Sequence, residues 1–456
     1  MKLSCLILTF LLTANLFAQT SPLRARQVFE AAKKVDEATR NRVWNEFEPF
    51  RYTTFSAQAD GDYILFNAAR KESAVPFSWS LADAYFSNVS LEDALVITFH
   101  EAFHAFEADA ARTGPKWNAE NSMLVFEYQE TSARNNALFA IEARLLRAAF
   151  ATRGDRPLRE KVRQFLAVRA LRQSALDPRF VEFEKGAEAN EGMAEYAGAK
   201  TVYEALRRPE KSLDFLRGDA DAFLSEKFRP LEEIGKVGKN VRRKFYLTGS
   251  AEGFLLDRLL PDWKKRVQTE GRFAQDLLAE SVRFKTPENA ETERLVAAFD
   301  YEKTLAAEEQ SVAERTAANR VLLEKSLAQA GRRFVVDFGR LKTPPGVRSF
   351  DPMNVTLVGP AIRVHTRAVT FGGDHGFTAS YAQTVVEDLA QKSYTTIVAE
   401  NAEQTVTADG AVLDLNRDGD YQFAQSLTIE TENFQLTARA GVVRVANGTV
   451  TITLID

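Results

Sequence analysis

The chain has 456 residues, 45% hydrophobic and 27% charged, with a formal net charge of −4. That composition supports two or three globular domains with cores of their own and excludes collagen-like, coiled-coil and disordered classes. With 59 Lys+Arg against 63 Asp+Glu, it lacks the net basic balance by which nucleic-acid binders neutralise phosphate, so no nucleic-acid partner is expected.

Taken in chain order, Met1-Lys2, the apolar run Leu3 to Leu12 and the exit Ala14-Asn15-Leu16-Phe17-Ala18 have the layout of a secretory signal peptide over 1–18. An uncleaved amino-terminal anchor is the alternative. Export to a periplasmic or extracellular space is the expectation. No later run reaches the roughly 20 apolar residues that spanning needs, so stable membrane insertion is not expected. The one cysteine, Cys5, lies inside the leader. A mature chain without it has neither disulfides nor thiol chemistry, which excludes papain-like catalysis and Cys-ligated zinc.

Residues 19–333 read as one mainly helical domain, with apolar residues three and four apart, as in Leu138, Ile141 and Leu145. From about 334 to 456 the period drops to two. Asn447-Gly448 between Val443-Arg444-Val445 and Thr449 to Leu454 is a strong hairpin signal, and the segment reads as a small antiparallel β domain of sandwich type. The fold class is therefore α+β.

The chemistry lies between 91 and 260. Ser90-Leu91-Glu92-Asp93 has the cap and acidic first turn of a helix start, and the helix runs on into His100-Glu101-Ala102-Phe103-His104. Two imidazoles four apart share one helix face and reach one metal ion, with Glu101 beside them. This is the H-E-x-x-H arrangement of zinc metallopeptidases, two His ligands and a Glu general base. A catalytic zinc takes a third protein ligand and keeps a fourth position open. Only four His exist, and His365 and His375 lie in the β region. The better candidates are Glu191 and Glu195 in Asn190-Glu191-Gly192-Met193-Ala194-Glu195-Tyr196, again four apart. Side by side they would repel, so Glu191 is expected on the metal and Glu195 on the free N–H of His100. Glu107, Glu130 and Glu142 compete as third ligands, or are ordinary surface carboxylates.

H-E-x-x-H followed by N-E-G-x-A-E-Y resembles the gluzincin metallopeptidases, most closely their aminopeptidase N and thermolysin branches. The resemblance implies a thermolysin-like catalytic domain, Glu191 as third zinc ligand, Glu195 as orienter of His100 and Asn190 as support. Tyr246-Leu247-Thr248-Gly249-Ser250-Ala251 is similar to the Y-x-x-G-x-A segment of those aminopeptidases, which implies that Tyr246 stabilises the oxyanion. The strand-like Gly61 to Asn67 stands where such enzymes place a sheet whose edge pairs with extended substrate, and is otherwise simply a structural strand. Two features depart from the pattern. His104 and Glu191 are separated by an inserted stretch, roughly 119–172, and no G-A-M-E-N segment precedes the zinc helix. Exo- and endopeptidase action both stay open.

In the β region Asp414, Asn416 and Asp418 match the opening of a calcium loop, D-x-N-x-D-G, although Gln425 stands where a bidentate Glu is expected. A tight turn uses the same residue types. The expected function is a secreted zinc peptidase acting on peptide or protein substrates, with one catalytic Zn2+, Glu101 as base and Tyr246 as oxyanion donor. The alternatives are an inactive exported binding protein on the same scaffold, and a zinc hydrolase of a non-peptide substrate.

Overall fold

The computed structural model describes residues 23–68, 77–109, 120–128, 131–208, 210–236, 241–351, 354–373 and 376–456. The expected leader over 1–18 with Cys5, the rival ligand Glu130, and His375 lie outside the described residues. The chain divides into two compact units, the first ending at Glu309 and the second running Gln310–Asp456. No helix among the described residues is long and apolar enough to cross a membrane.

The first unit opens with α1 (Ala25–Thr39), followed by an antiparallel sheet of β1 (Thr53–Gln58), β2 (Gly61–Ala68) and β3 (Phe77–Ala82), in the order β1-β2-β3. Burial alternates along β2, with Ile64, Phe66 and Ala68 inward, as a sheet with one face on a core requires. The strand legible in the sequence is thus the central one, with both sides paired. The edges belong to β1 and β3.

A short helix, α2 (Asp83–Phe86), leads to α3 (Leu91–Ala108), whose first turn is capped by Ser90 Oγ accepting from the Asp93 amide at 3.1 Å. Residues 94–100, 102, 103, 105 and 106 of α3 are all buried, so it is a core helix covered on nearly every side. Next come α4 (Ala133–Ala151), α5 (Asp155–Gln173) and α6 (Pro178–Ala187). Gly154 makes the α4–α5 reversal at φ 85°, a left-handed conformation that suits glycine. A π-helical turn, Glu188–Gly192, then joins α6 to α7 (Met193–Leu206). The unit continues through α8 (Ala220–Phe228), α9 (Arg242–Leu259), α10 (Trp263–Glu270), α11 (Ala274–Ser281) and α12 (Asn289–Ala297) to α13 (Tyr301–Leu327).

Helices α1, α3 and α7 share a core of Ala32, Val35, Leu95, Val96, Phe99, Val202 and Ala205. Gly198 on α7 faces the Val96 carbonyl so closely that a Cβ there would lie 2.3 Å from the oxygen. That approach sets the α3–α7 spacing. Trp44 meets Phe103 edge-on at 5.2 Å and Trp263 at 5.1 Å, geometry worth about 0.5–1.5 kcal/mol per pair beyond area burial.

The inserted helices carry a second buried feature. Arg169 of α5 binds Glu142 of α4 at 2.7 Å and Glu188 of the π-turn at 2.8 Å, and donates to Glu252 of α9. Arg172 binds Glu142 at 2.8 Å and Glu184 of α6 at 2.9 Å, and Tyr128 also donates to Glu184. Burial pushes Glu252 well above, and Glu188 above, the usual carboxylate range. This lets four carboxyl groups share two guanidiniums. Glu142, weighed as a metal ligand, is committed here.

The boundary between the units falls inside α13 and not at the change of periodicity near 333. Periodicity marks where helix becomes strand, while packing changes earlier: Asn319 in the later half of α13 donates to the Leu357 carbonyl at 3.0 Å. The second unit is two sheets of eight and seven strands around one shared core that includes Phe334, Val336, Phe371, Ile429, Leu436 and Ile452. The expected hairpin is present, with Ala446 opposite Thr449 and positive φ at Asn447 and Gly448. Among the described residues pairing is antiparallel except between Thr449–Leu454 and Arg332–Asp337, which run parallel. His365 is buried in this unit and lies 3.3 Å from Glu387. Asp414, Asn416 and Asp418 form an exposed turn, in which Asn416 gives its amide N–H to Asp414 at 2.9 Å. Arg332 donates to the Asn416 side-chain oxygen at 2.8 Å, setting a guanidinium on an atom that a calcium loop would aim at its ion.

Candidate metal centre

Helix α3 presents His100 and His104 with their Nε2 atoms 3.0 Å apart and their rings nearly perpendicular, at 82°. Glu191, on the π-turn, brings Oε2 to 3.3 Å from His100 Nε2 and 3.4 Å from His104 Nε2. A tetrahedral ion with bonds of about 2.0–2.1 Å holds its ligand atoms about 3.3 Å apart. The three donors therefore already stand near the corners of a coordination shell. They are the metal-competent group among the described residues.

Each imidazole is oriented from behind. His100 Nδ1 is 3.1 Å from Glu195 Oε2, and Glu195 Oε1 in turn meets Lys227 of α8 at 2.7 Å. His104 Nδ1 is 3.3 Å from Glu107 Oε2. Carboxylates on both Nδ1 atoms place the ring protons there and leave the Nε2 lone pairs for a metal. Glu107 is thus a neighbour of the far side of the His104 ring and not a ligand. Its other oxygen is buried, with no hydrogen-bond partner among the described residues.

The third donor is equally constrained. Arg242, at the start of α9, holds Glu191 Oε1 at 2.6 Å and grips Glu120 through both oxygens at 2.6 Å. Asn190 donates to Glu120 at 2.9 Å, so it supports the site through this arginine-bound carboxylate. With Oε1 taken, Glu191 offers the metal one oxygen. Tyr246, one turn after Arg242, stacks on His100 at 5.4 Å, and burial and the nearby charge of Glu191 push its hydroxyl well above the usual phenol range. Its ring therefore lies at the site, against one of the two imidazoles. Glu101 lies half-buried beside His100 and accepts a hydrogen bond from Trp79 Nε1 of β3 at 2.7 Å.

Backbone contact makes this convergence feasible. A Cβ on Gly192 would lie 2.6 Å from Gly249 Cα, and one on Gly249 would lie 2.8 Å from the Glu188 carbonyl oxygen. The two glycines let the π-turn touch α9, which carries Arg242 and Tyr246 to Glu191.

The electrostatics favour a cation. Burial would lower His100, but hydrogen bonds to Glu191 and Glu195 outweigh it and raise the imidazole to about 9. His104 is raised well above its ordinary value, its burial overcome by Glu191 and Glu107. Burial would lift Glu191, yet Arg242 and His104 hold it well below the carboxylate range. Glu195 is likewise held at about 2 by Lys227 and His100. Burial pushes Glu107 up to about 7. The carboxylates that raise both imidazoles give the site a negative surrounding that suits a cation.

The sequence-predicted His100, Glu101, His104, Asn190, Glu191, Glu195 and Tyr246 thus meet at one place. Sequence reasoning missed Lys227, Arg242, Glu120, Trp79 and the part played by Glu107. Of these Arg242 and Glu107 had a local signal, Arg242 one helical turn before Tyr246 and Glu107 three residues after His104. Comparison with protein-family models, with curated proteins and with solved structures finds no match to this chain.

Proposed function

We propose that this protein is a zinc-dependent peptidase of gluzincin type, with a thermolysin-like catalytic arrangement in its helical unit, exported on the strength of its leader-like start. The observation that carries the reading is the convergence of His100 Nε2, His104 Nε2 and Glu191 Oε2 beside the carboxylate of Glu101. Two imidazoles and one carboxylate oxygen are a donor set suited to catalytic zinc. When bound, the ion supplies Lewis acidity that brings the pKa of a coordinated water towards about 7.

The chain's own groups do the rest. Glu101 accepts the proton of the attacking water and delivers it to the leaving nitrogen, a general-base role typically worth about 10²–10⁴-fold. Tyr246 donates its hydroxyl to the oxygen of the scissile carbonyl as charge develops, a contribution of about 3 kcal/mol for one donor. Glu195 and Glu107 keep the imidazoles in one tautomer and orientation throughout.

The test is metal analysis of the purified protein together with a peptide-library digest, with and without chelator. Cleavage that stops on chelation and returns with zinc is the expected outcome. Glu101→Gln should keep the metal and lose cleavage; a Glu101→Gln protein as active as the parent would sink the assignment.

A further inference from the structure

We propose that Trp79 is a positioning residue for Glu101, an inference that rests on the peptidase reading of the site. A glutamate side chain turns about three bonds, and a general base aligned to within a fraction of an ångström needs something to stop that rotation. Trp79 Nε1 donates to Glu101 Oε2 at 2.7 Å. The indole is itself fixed from below. Trp79 is in register with Phe66 of β2, and the two rings stack at 5.7 Å and 23°. Phe66 is fully buried against the core.

The chain of contacts therefore runs from the sheet core through Phe66 and the indole to one oxygen of the base. With Oε2 occupied by an N–H, proton transfer falls to Oε1, and the carboxylate plane is set by β3. Trp79 meets the site at Glu101, so it acts on the reaction through Glu101. The outer side of β3 pairs with no strand among the described residues.

The experiment uses the full chain loaded with zinc. It compares Trp79→Phe with replacement of Trp79 by 3-benzothienylalanine, which keeps the fused ring shape and lacks the N–H. For both, kcat should fall by about tenfold to a hundredfold, with KM within about twofold and zinc stoichiometry unchanged. A second readout needs no turnover: acetohydroxamate bound to the zinc gives its acidic proton to a neighbouring base. Its affinity should drop in both variants and in Glu101→Gln, with no additional loss when Trp79→Phe is added to Glu101→Gln.

Parental kcat and parental acetohydroxamate affinity in the 3-benzothienylalanine protein would overturn the inference, whatever Trp79→Phe does. A raised KM with unchanged kcat would also overturn it, by making Trp79 a substrate contact. A parent protein that binds zinc and acetohydroxamate yet cleaves no peptide rejects the peptidase reading and leaves the hydroxamate affinities to decide on Trp79. One that binds no zinc overturns both.

Discussion

Two buried clusters of ionisable groups lie in the helical unit and share one turn of chain, for Glu188 belongs to the first and Glu191 to the second. In the first, Arg169 and Arg172 are surrounded by Glu142, Glu184, Glu188 and Glu252, and planar guanidiniums meet carboxylates with N–H groups to match. In the second, the lone pairs of two imidazoles and a carboxylate point at one another, and only protons or a cation relieve the arrangement. The first cluster takes its cations from the protein itself, with burial raising Glu252 and Glu188 so that the remaining carboxyls can stay protonated. The second gathers three donor atoms that could hold a metal ion, and its protein cations, Arg242 and Lys227, lie behind Glu191 and Glu195, which is how a candidate binding site differs from a structural ion network of similar burial.

The contrast can be broken most severely from the structural side. Arg169→Ala leaves Glu142, Glu188 and Glu252 without their shared cation and should destabilise the fold by about 3–5 kcal/mol in urea unfolding. Added zinc should not restore the parent midpoint. The metal cluster should behave in the opposite sense. Zinc at about one hundred times its Kd should raise stability by about 2.7 kcal/mol, and His104→Ala should abolish that gain while leaving the network intact.

Acidity sharpens the same contrast. In the metal-free protein the folded His100 holds its proton up to about 9, whereas an unfolded imidazole loses it near 6.5. Its contribution to stability is therefore full below about 6.5 and is lost as pH rises through about 9. Unfolding of the chelated protein followed across that window should show the decline, and zinc-loaded protein should not follow it. A chelated protein equally stable at both ends would contradict the protonated arrangement.

What was legible in the sequence follows the range of the physics involved. His100 with His104, and Glu191 with Glu195, could be paired because helical geometry is local and fixes what lies four residues away. The hairpin at Asn447-Gly448 was legible for the same reason, since turn chemistry sits in the turn itself. Lys227, Glu120 and Trp79 reach the site from other elements by packing, and no spacing announces that. Glu107 was misplaced for a subtler reason. Its position three after His104 correctly brings it to the ring, but spacing does not tell which nitrogen it meets. The parallel pairing of Thr449–Leu454 with Arg332–Asp337 joins the two ends of the β region and has no short-range signature.

Smaller changes test the turn that the two clusters share. Gly249→Ala inserts a methyl 2.9 Å from Gly192 Cα and 2.8 Å from the Glu188 carbonyl, with rigid backbone on both sides. Overpacking of this kind costs about 1–3 kcal/mol. Because the displaced segment carries Glu191, zinc affinity should fall along with stability. Retained zinc affinity in a destabilised protein would show that the ligand does not depend on close contact between the π-turn and α9.

The mildest test removes the most remote member of the metal cluster. Lys227→Met keeps the length of the side chain and deletes the cation paired with Glu195. Glu195 still reaches His100, but its carboxylate, now buried without an ammonium, rises from about 2 towards ordinary values and holds the His100 proton less firmly. Outer partners of this type typically change metal affinity by about 10–100-fold, and the lower end is expected here because the hydrogen bond itself survives. Competition with a zinc-binding dye gives the measurement. An unchanged affinity would confine Lys227 to packing between α7 and α8, and would move the outer limit of the metal cluster inward to Glu195.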